Sequence, residues 1–243
     1  MNKYSVIVAA AGKAERFGGS EKKTFAKLDG RPLFLRCLEL FVNRPEVCQI
    51  LLAVSPEDVP TVKTSYGANL GFMGVTLAEG GAERVETVRR ALAMVSEEAG
   101  FVAVHDAARP CVTAAAIDAV FAEATKSGAA ILAAPVTGTL KRVSEARIVE
   151  ETVSRAQLYE AQTPQVFRKD VLTEAYAKLP AQCEVTDDAQ VVERAGHAVS
   201  IVISDATNLK ITARSDLALA SALLKARPAK AVRKFGAFEE AQW

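Results

Sequence analysis

The chain opens with Tyr4-Ser5-Val6-Ile7-Val8-Ala9-Ala10, a nearly continuous apolar run that leads into Ala11-Gly12. A run that is apolar throughout, rather than alternating, predicts a strand buried on both faces. Further runs rich in Val, Ile and Ala follow at 49–54, 75–78, 101–105, 129–135 and 199–204. Helical patterns separate them, at 32–44, 83–96, 114–127, 187–195 and 215–226. This alternation predicts an α/β fold of three layers, a mostly parallel twisted sheet with helices on both faces.

Local residues refine these elements. Thr113 and Thr186 precede two of the helical patterns and are predicted N-caps. Ser55-Pro56 also resembles a helix start, although Pro60 follows closely. One segment, 137–158, is polar and turn-like and predicts a protruding β-hairpin arm, which has to pack on something because an isolated hairpin is marginal in water. We therefore expect one domain over 1–226 with this arm, followed by a tail over 227–243.

Composition narrows the classes of partner. The 243 residues include 30 Lys and Arg against 29 Asp and Glu, so the net charge of +1 provides no field that would attract nucleic acid or an anionic membrane. No apolar run approaches the roughly 20 residues that cross a bilayer. The four cysteines have no CxxC or zinc spacing and are expected to be free thiols. These features favour a cytoplasmic protein that binds neither nucleic acid nor membrane.

The loop after the first strand combines small residues with local positive charge. The segment from Gly12 to Lys27 contains five basic residues, Lys27 included, and two acidic ones. Small residues let a backbone approach a ligand closely, and successive N–H groups bind phosphate oxygens. The spacing fits neither a Walker loop nor a GxGxxG dinucleotide motif. The loop therefore predicts a phosphate site of another kind, with a solvated surface loop as the alternative.

Asp106 follows the fourth strand in Val104-His105-Asp106-Ala107-Ala108-Arg109-Pro110. A carboxylate at a strand's carboxyl end is placed to hold Mg²⁺ together with substrate phosphates, although it could equally pair with Arg109. His105 is expected in the core. With two histidines and no GxSxG, acyl transfer by a Ser–His or Cys–His pair is disfavoured.

Together these stretches resemble the 2-C-methyl-D-erythritol 4-phosphate cytidylyltransferase family. The resemblance runs from Val6 to about Ala220 and comprises eight blocks in order: AAGKAERFG followed by Lys23, GGAERVETV, VHDAARP, APVTGTLKR, ETVSRAQL, QTPQVF, VTDDA and NLKIT. It implies a single Rossmann-like nucleotidyltransferase domain and a homodimer in which β-arms are exchanged. It also implies transfer of CMP from CTP to 2-C-methyl-D-erythritol 4-phosphate with release of pyrophosphate, in the non-mevalonate isoprenoid pathway.

The resemblance assigns roles to individual residues. Arg16 and Lys23 would stabilise the transition state, and Asp106 would hold Mg²⁺ at the nucleotide. The nucleotide pocket would further comprise Ala10, Ala11, Gly12, Gly81, Ala82 and Thr87, with the Thr87 hydroxyl contacting cytosine. The polyol phosphate would be bound by Thr139, Arg155, Thr163, Thr186 and Lys210. Arg155 would come from the partner's arm, and both Arg155 and Lys210 would act in catalysis.

Some positions depart from the family pattern. Lys22 and Thr24 stand where proline and glutamine are common, so either Lys22 or Lys23 could contact phosphate. Ala82 and Thr207 each replace a frequent acidic residue. The alternative within the class is a ribitol 5-phosphate cytidylyltransferase. Alternatives from other classes are a nicotinamide-dependent oxidoreductase and a non-catalytic nucleotide-binding protein.

Overall fold

A computed structural model describes residues 2–12, 17, 22–180 and 183–227 of the chain. The first half of the chain contains β1 (Tyr4–Ala9), β2 (Lys27–Leu28), β3 (Arg31–Pro32), α1 (Leu33–Glu39), β4 (Val47–Val54), α2 (Val59–Phe72), β5 (Val75–Glu79), α3 (Arg84–Leu92) and β6 (Phe101–Asp106). The second half contains α4 (Ala114–Ser127), β7 (Ala129–Pro135), β8 (Leu140–Val143), β9 (Val149–Val153), β10 (Tyr159–Arg168), α5 (Lys169–Lys178), α6 (Asp188–Arg194), β11 (Ser200–Ile203) and α7 (Ser215–Ala226).

Seven strands form the central sheet, in the order β11-β7-β10-β6-β1-β4-β5. The described pairs are parallel except that β10 runs antiparallel to both of its neighbours, β6 and β7. The predicted α/β class with a mostly parallel sheet is therefore confirmed. None of the described helices is long and apolar enough to span a lipid bilayer.

Both faces of the sheet are buried, as the continuous apolar strands predict. In β1, Val6 and Val8 face a core shared with α1, α2 and α4, whereas Ile7 faces a second core shared with α3, α5 and α6. All three side chains are fully buried. Residues on the same strand thus serve both cores, which produces the three layers.

The strand register places several loops at one edge of the sheet. Ala9 at the end of β1 pairs with Ala53 of β4 and with Asp106 of β6, and Val54 pairs with Glu79 of β5. The segments that follow β1, β5 and β6 consequently start side by side. In an open α/β sheet this carboxyl edge is where ligands bind.

Most predicted elements agree with the structure to within two residues, but two helices are shorter. α1 was expected over 32–44 and ends at Glu39, because the N–H groups of Leu40 and Phe41 donate to carbonyls three residues back rather than four, and Asn43 adopts a left-handed φ of 69°. α3 was expected over 83–96 and ends at Leu92. The helix after Ser55 begins as a 3₁₀ turn, Pro56–Asp58, and continues as α2, whose first turn tolerates Pro60.

One of the two N-cap predictions is confirmed and the other is wrong. Thr113 caps α4, since its side chain accepts a hydrogen bond from the Ala116 N–H. Thr186 does not cap α6, so that prediction was wrong. Asp187 takes the position, and its carboxylate accepts from the Gln190 N–H. An ionised carboxylate at a helix N-terminus is also favoured by the helix dipole.

β10, α5 and the small β2–β3 ladder were not predicted from the sequence. Within the predicted arm, β8 and β9 pair antiparallel as a separate two-stranded sheet, and nearly all of their residues are exposed. Exchange of this hairpin between subunits stays a prediction. Of the predicted tail, residues 228–243 lie outside the described residues.

Candidate active site

The small residues after β1 form one wall of a cavity at the carboxyl edge of the sheet. The Ala10 N–H donates to the Ala53 carbonyl at 2.8 Å, which extends the ladder one residue beyond β1. Ala10, Ala11 and Gly12 then line a cavity of about 150 Å³. Arg16, predicted to stabilise the transition state, lies outside the described residues.

The neighbouring lysines Lys22 and Lys23 have different surroundings. The Lys22 ammonium contacts the Asp58 carboxylate at 2.7 Å and the Glu57 carboxylate at 3.0 Å. Burial alone would lower the pKa of Lys22, but these hydrogen bonds raise it above its usual value. Lys23 instead lines the 150 Å³ cavity together with Asp106. Lys23 thus lies at the same cavity as Asp106, whereas Lys22 is ion-paired and borders a second cavity of about 580 Å³.

Thr24 fastens the same segment from the other side. Its hydroxyl donates to the Ala10 carbonyl at 3.1 Å. Lys23 begins a 3₁₀ turn, Lys23–Phe25, and is therefore held between the anchors of Lys22 and Thr24. Lys22 and Thr24, two of the positions that depart from the family pattern, thus both support Lys23 locally.

Asp106 ends β6 and faces three cations in the described part of the chain. Its carboxylate lies 2.7 Å from Lys210 Nζ, 3.3 Å from Arg84 Nε and 4.0 Å from Arg109 Nε. Burial raises the pKa of the Asp106 carboxyl, but Arg84, Lys210 and Arg109 more than offset this, and the pKa is well below its usual value. Asp106 is therefore an ionised carboxylate in the wall of the cavity.

A single carboxylate fits one particular way of binding Mg²⁺. Within residues 2–12, 17, 22–180 and 183–227, no three His, Cys, Asp or Glu side chains cluster so as to hold a metal ion by themselves. Mg²⁺ commonly binds through one or two carboxylates plus substrate phosphates and water. Asp106 suits that arrangement, in which the nucleotide would supply the other ligands.

His105 and Thr163 lie behind Asp106 in the core. The Asp106 N–H donates to Thr163 Oγ1 at 3.0 Å, and this hydroxyl also bonds to His105 Nδ1 at 3.1 Å. His105 is fully buried, and burial lowers its pKa to about 4. His105 is thus a neutral core residue, as expected. Thr163, predicted to contact substrate, borders a neighbouring cavity, but its hydroxyl is engaged in holding the Asp106 backbone.

Gly81 and Ala82 lie at a second cavity of about 580 Å³, which shares Gly12 with the first. The Thr87 hydroxyl accepts from the Gly81 N–H at 3.0 Å and donates to the Glu83 carbonyl at 2.9 Å. Thr87 is fully buried, and the predicted contact between its hydroxyl and cytosine stays a prediction. Thr87 holds the backbone of the glycine loop in place.

The residues predicted to bind the polyol phosphate are only partly brought together. Thr163, Thr186 and Lys210 line a cavity of about 190 Å³ that shares Asp106 and Arg84 with the first cavity. Thr139 and Arg155 lie beside the hairpin and are not among the residues lining these cavities. Arg155 donates a hydrogen bond to the Thr137 carbonyl.

Sequence reasoning did not place Arg84 at the site, and it named Arg109 only as an alternative partner of Asp106. Arg84 bonds to Asp106 and to the buried Asp188. Arg109 donates to the Asn208 carbonyl at 2.7 Å, which ties the β6 loop to the segment that carries Lys210. Both arginines stand inside motif blocks, GGAERVETV and VHDAARP, which could have drawn attention to them.

Comparison with known proteins adds to this geometry. Residues 4–226 match the sequence model of a family described as IspD, 2-C-methyl-D-erythritol 4-phosphate cytidylyltransferase. The chain belongs to this family. The resemblance carried by the eight motif blocks is therefore confirmed, and this cytidylyltransferase is a nucleotidyltransferase.

Individual relatives agree with the family match. A 2-C-methyl-D-erythritol 4-phosphate cytidylyltransferase of Rhodopirellula baltica is 46% identical over 90% of this chain and 94% of its own. One from Dechloromonas aromatica is 42% identical over 93% of this chain and 100% of its own. The crystal structure of the cytidylyltransferase of Thermus thermophilus superimposes with a TM-score of 0.76 at 33% identity, covering 93% of this chain and 100% of that one.

Proposed function

We propose that this cytidylyltransferase transfers CMP from CTP to 2-C-methyl-D-erythritol 4-phosphate, a step of isoprenoid biosynthesis, and releases pyrophosphate. The observation that carries the proposal is the convergence of Lys23, Asp106 and Lys210 on one cavity walled by the small-residue loop. Membership of the family supplies the identity of the substrates. It also disfavours the ribitol 5-phosphate alternative.

The chemistry needs charge and position rather than a base. An oxygen of the polyol phosphate, already ionised near neutral pH, forms a bond to the α-phosphorus of CTP while the bond to the bridging oxygen breaks and pyrophosphate leaves. The main obstacle is repulsion between two anions, and fixed cations reduce it. Lys23 and Lys210 line the cavity, and we assign Arg16 to the same task. The buried neutral His105 has no part in this scheme.

Mg²⁺ is the cofactor that we propose for this reaction. Asp106 would hold it together with oxygens of the triphosphate, and when bound it neutralises phosphate charge. Lys210 Nζ lies 2.7 Å from the Asp106 carboxylate and would therefore lie next to the same triphosphate oxygens. Both groups would meet the phosphates at one point of the cavity.

We also propose that the active form is a homodimer whose hairpins are exchanged. Hydrophobic side chains of the hairpin are exposed within one chain, including Val143 at 51%, Ile148 at 66% and Val149 at 56%. A second copy that covered them would bring Thr139 and Arg155 to the partner's polyol phosphate site. A cytoplasmic location stays a prediction.

The dimer can be tested by mixing inactive variants. Arg155→Ala and Lys23→Ala should each be nearly inactive alone, because each removes one cation from every site. Mixed heterodimers should recover activity, since one of their two sites contains both cations. Demonstrated heterodimers without recovered activity would contradict the shared site.

Pyrophosphate release tests the function itself. We expect release only when CTP, Mg²⁺ and 2-C-methyl-D-erythritol 4-phosphate are all present, with omission of each as the matched control. Ribitol 5-phosphate, offered in competition, should be used poorly. Preference for it would overturn the substrate assignment, and binding of CTP without pyrophosphate release would favour a non-catalytic protein. A change in NAD(P)H fluorescence on mixing would favour the oxidoreductase.

A further inference from the structure

A relay of polar side chains leads from the α5–α6 layer to the cavity. The Tyr176 hydroxyl donates to Asp188 Oδ1 at 2.6 Å, and Arg84 Nη2 donates to Asp188 Oδ2 at 2.7 Å. Arg84 Nε in turn lies 3.3 Å from Asp106 Oδ1. Arg84 and Asp106 line the cavity, whereas Tyr176 and Asp188 are not among its lining residues.

Asp188 is placed by the backbone rather than by Arg84. The side-chain oxygen of Gln165 on β10 accepts the N–H groups of Asp188 and Ala189 at 3.0 and 2.9 Å. This attaches the start of α6 to the central sheet. Because Asp188 is fully buried, its charge needs close partners. Arg84, on a different element and only partly buried, is therefore the group that adjusts to Asp188.

The position of Arg84 determines how Asp106 can be used. The guanidinium is divided between two carboxylates, with Nη2 on Asp188 and Nε on Asp106. Arginine prefers to pair with a carboxylate through two parallel hydrogen bonds. Without the charge of Asp188, Arg84 would turn both donors toward Asp106 and cover the oxygen that Lys210 now contacts.

We propose that Asp188 is a positioning residue of the nucleotide site, which holds Arg84 to one side so that Asp106 stays accessible to a cation bound with the triphosphate. The inference rests on the proposed function for the identity of the nucleotide. Tyr176 contributes by fixing the second oxygen of Asp188. The relay also joins the segment that carries Thr186, two residues before Asp188, to the carboxylate at the nucleotide side.

Calorimetric titration of the full chain with CTP tests the proposal without turnover. In excess Mg²⁺, Asp188→Asn should weaken CTP binding by about 10- to 100-fold, the range for residues that orient metal ligands. With EDTA in place of Mg²⁺, the difference from the wild type should shrink. Glu184→Gln is the matched control, since it removes one negative charge from an exposed residue of the same segment and should leave the Kd unchanged.

A second variant and kinetics separate positioning from folding. Tyr176→Phe removes the hydroxyl but leaves Asp188 and Arg84 in place. It should weaken CTP binding in Mg²⁺ about two- to fivefold, the lower range of coupling between contacting residues. In both variants the KM for CTP should rise more than kcat falls, whereas loss of folded protein would lower kcat alone. The proposal would be overturned if Asp188→Asn folds and has the wild-type Kd and KM for CTP. If Asp188→Asn does not fold, a wild-type Kd for CTP in Tyr176→Phe would overturn it instead. Failure of the wild type to release pyrophosphate would refute the proposed function and leave these binding measurements valid.

Discussion

Replacing Gly80 with alanine would test how closely the nucleotide loop is packed. A Cβ atom at Gly80 would lie 2.8 Å from Ala11 Cβ and 2.9 Å from Thr87 Cγ2. Both neighbours are short side chains on the buried framework of the site, so neither can swing away. The Gly80 N–H also donates to the Val54 carbonyl at 2.7 Å, which restrains the backbone from retreating.

The expected magnitude follows from these distances. Relieving a 2.8 Å contact to an ordinary carbon–carbon separation of about 3.5–4.0 Å moves Ala11 by about 1 Å. Overpacking of this kind lowers the free energy of unfolding by about 1–3 kcal/mol. Since Ala11 lines the cavity, a displacement of about 1 Å should also lower kcat/KM for CTP by up to about 100-fold.

Urea denaturation and steady-state kinetics with CTP would measure both effects. Gly100→Ala is the matched control, because nothing lies within 4 Å of its added Cβ, and it should behave like the wild type. A Cβ added at Gly81 has the Glu86 side chain as its nearest neighbour, so Gly81→Ala should displace Glu86 and break the hydrogen bond that its carboxylate accepts from the Ala82 N–H. If Gly80→Ala were as stable and as active as Gly100→Ala, the packing argument would be refuted.

Three further predictions compare matched residues. Lys23→Ala should lower kcat by about 10²–10³-fold, or about 3–4 kcal/mol, as removal of a preorganised charge typically does. Lys22→Ala should have a much smaller effect, because Lys22 pairs with Glu57 and Asp58. Equal losses of kcat in steady-state assays would contradict this. Thr113→Ala should lower the free energy of unfolding in urea by about 1 kcal/mol through loss of the α4 cap, and Thr186→Ala should change it little because Asp187 caps α6; a reversed order would show that the caps are misassigned. A chromogenic disulfide reagent should label Cys48 and Cys183, which are partly exposed. It should react with Cys37 and Cys111 only after denaturation, because burial excludes the reagent and raises the pKa of these two thiols. Rapid reaction of all four cysteines would indicate a more open core.

Four of the strands that the sequence predicted show their burial in their own composition. β1, β4, β6 and β7 are runs of apolar residues, and a strand buried on both faces needs little else. β10 is equally central but contains Gln162, Thr163, Pro164 and Gln165, which resemble a loop. Their polar groups are satisfied by residues far away in the chain, as when Asn208 donates to the Gln162 side chain at 2.9 Å.

At the candidate site, too, the sequence predicted local features but not contacts between distant residues. The sequence predicted a phosphate site in the loop after β1 and a carboxylate after β6, because small residues, lysines and an aspartate at strand ends are local features. It assigned Lys23 to the transition state but left open whether Lys22 shares the contact with phosphate, since the ion pairs of Lys22 with Glu57 and Asp58 form only in the folded chain. It also did not show that the Thr87 and Thr163 hydroxyls accept backbone N–H groups of the site, and their contacts with ligands stay predictions.

The amino-acid sequence alone determined the class of fold, the family and the set of residue types available for phosphate chemistry, because hydrophobic period and motif spacing are properties of neighbouring residues. Only the tertiary structure decided the electrostatic state of the site. Arg84 and Asp188 are 104 positions apart, and Arg109 and Asn208 are 99 apart. Charges interact strongly only within a few ångströms, so which cation meets which carboxylate is settled when the sheet brings the strand ends together.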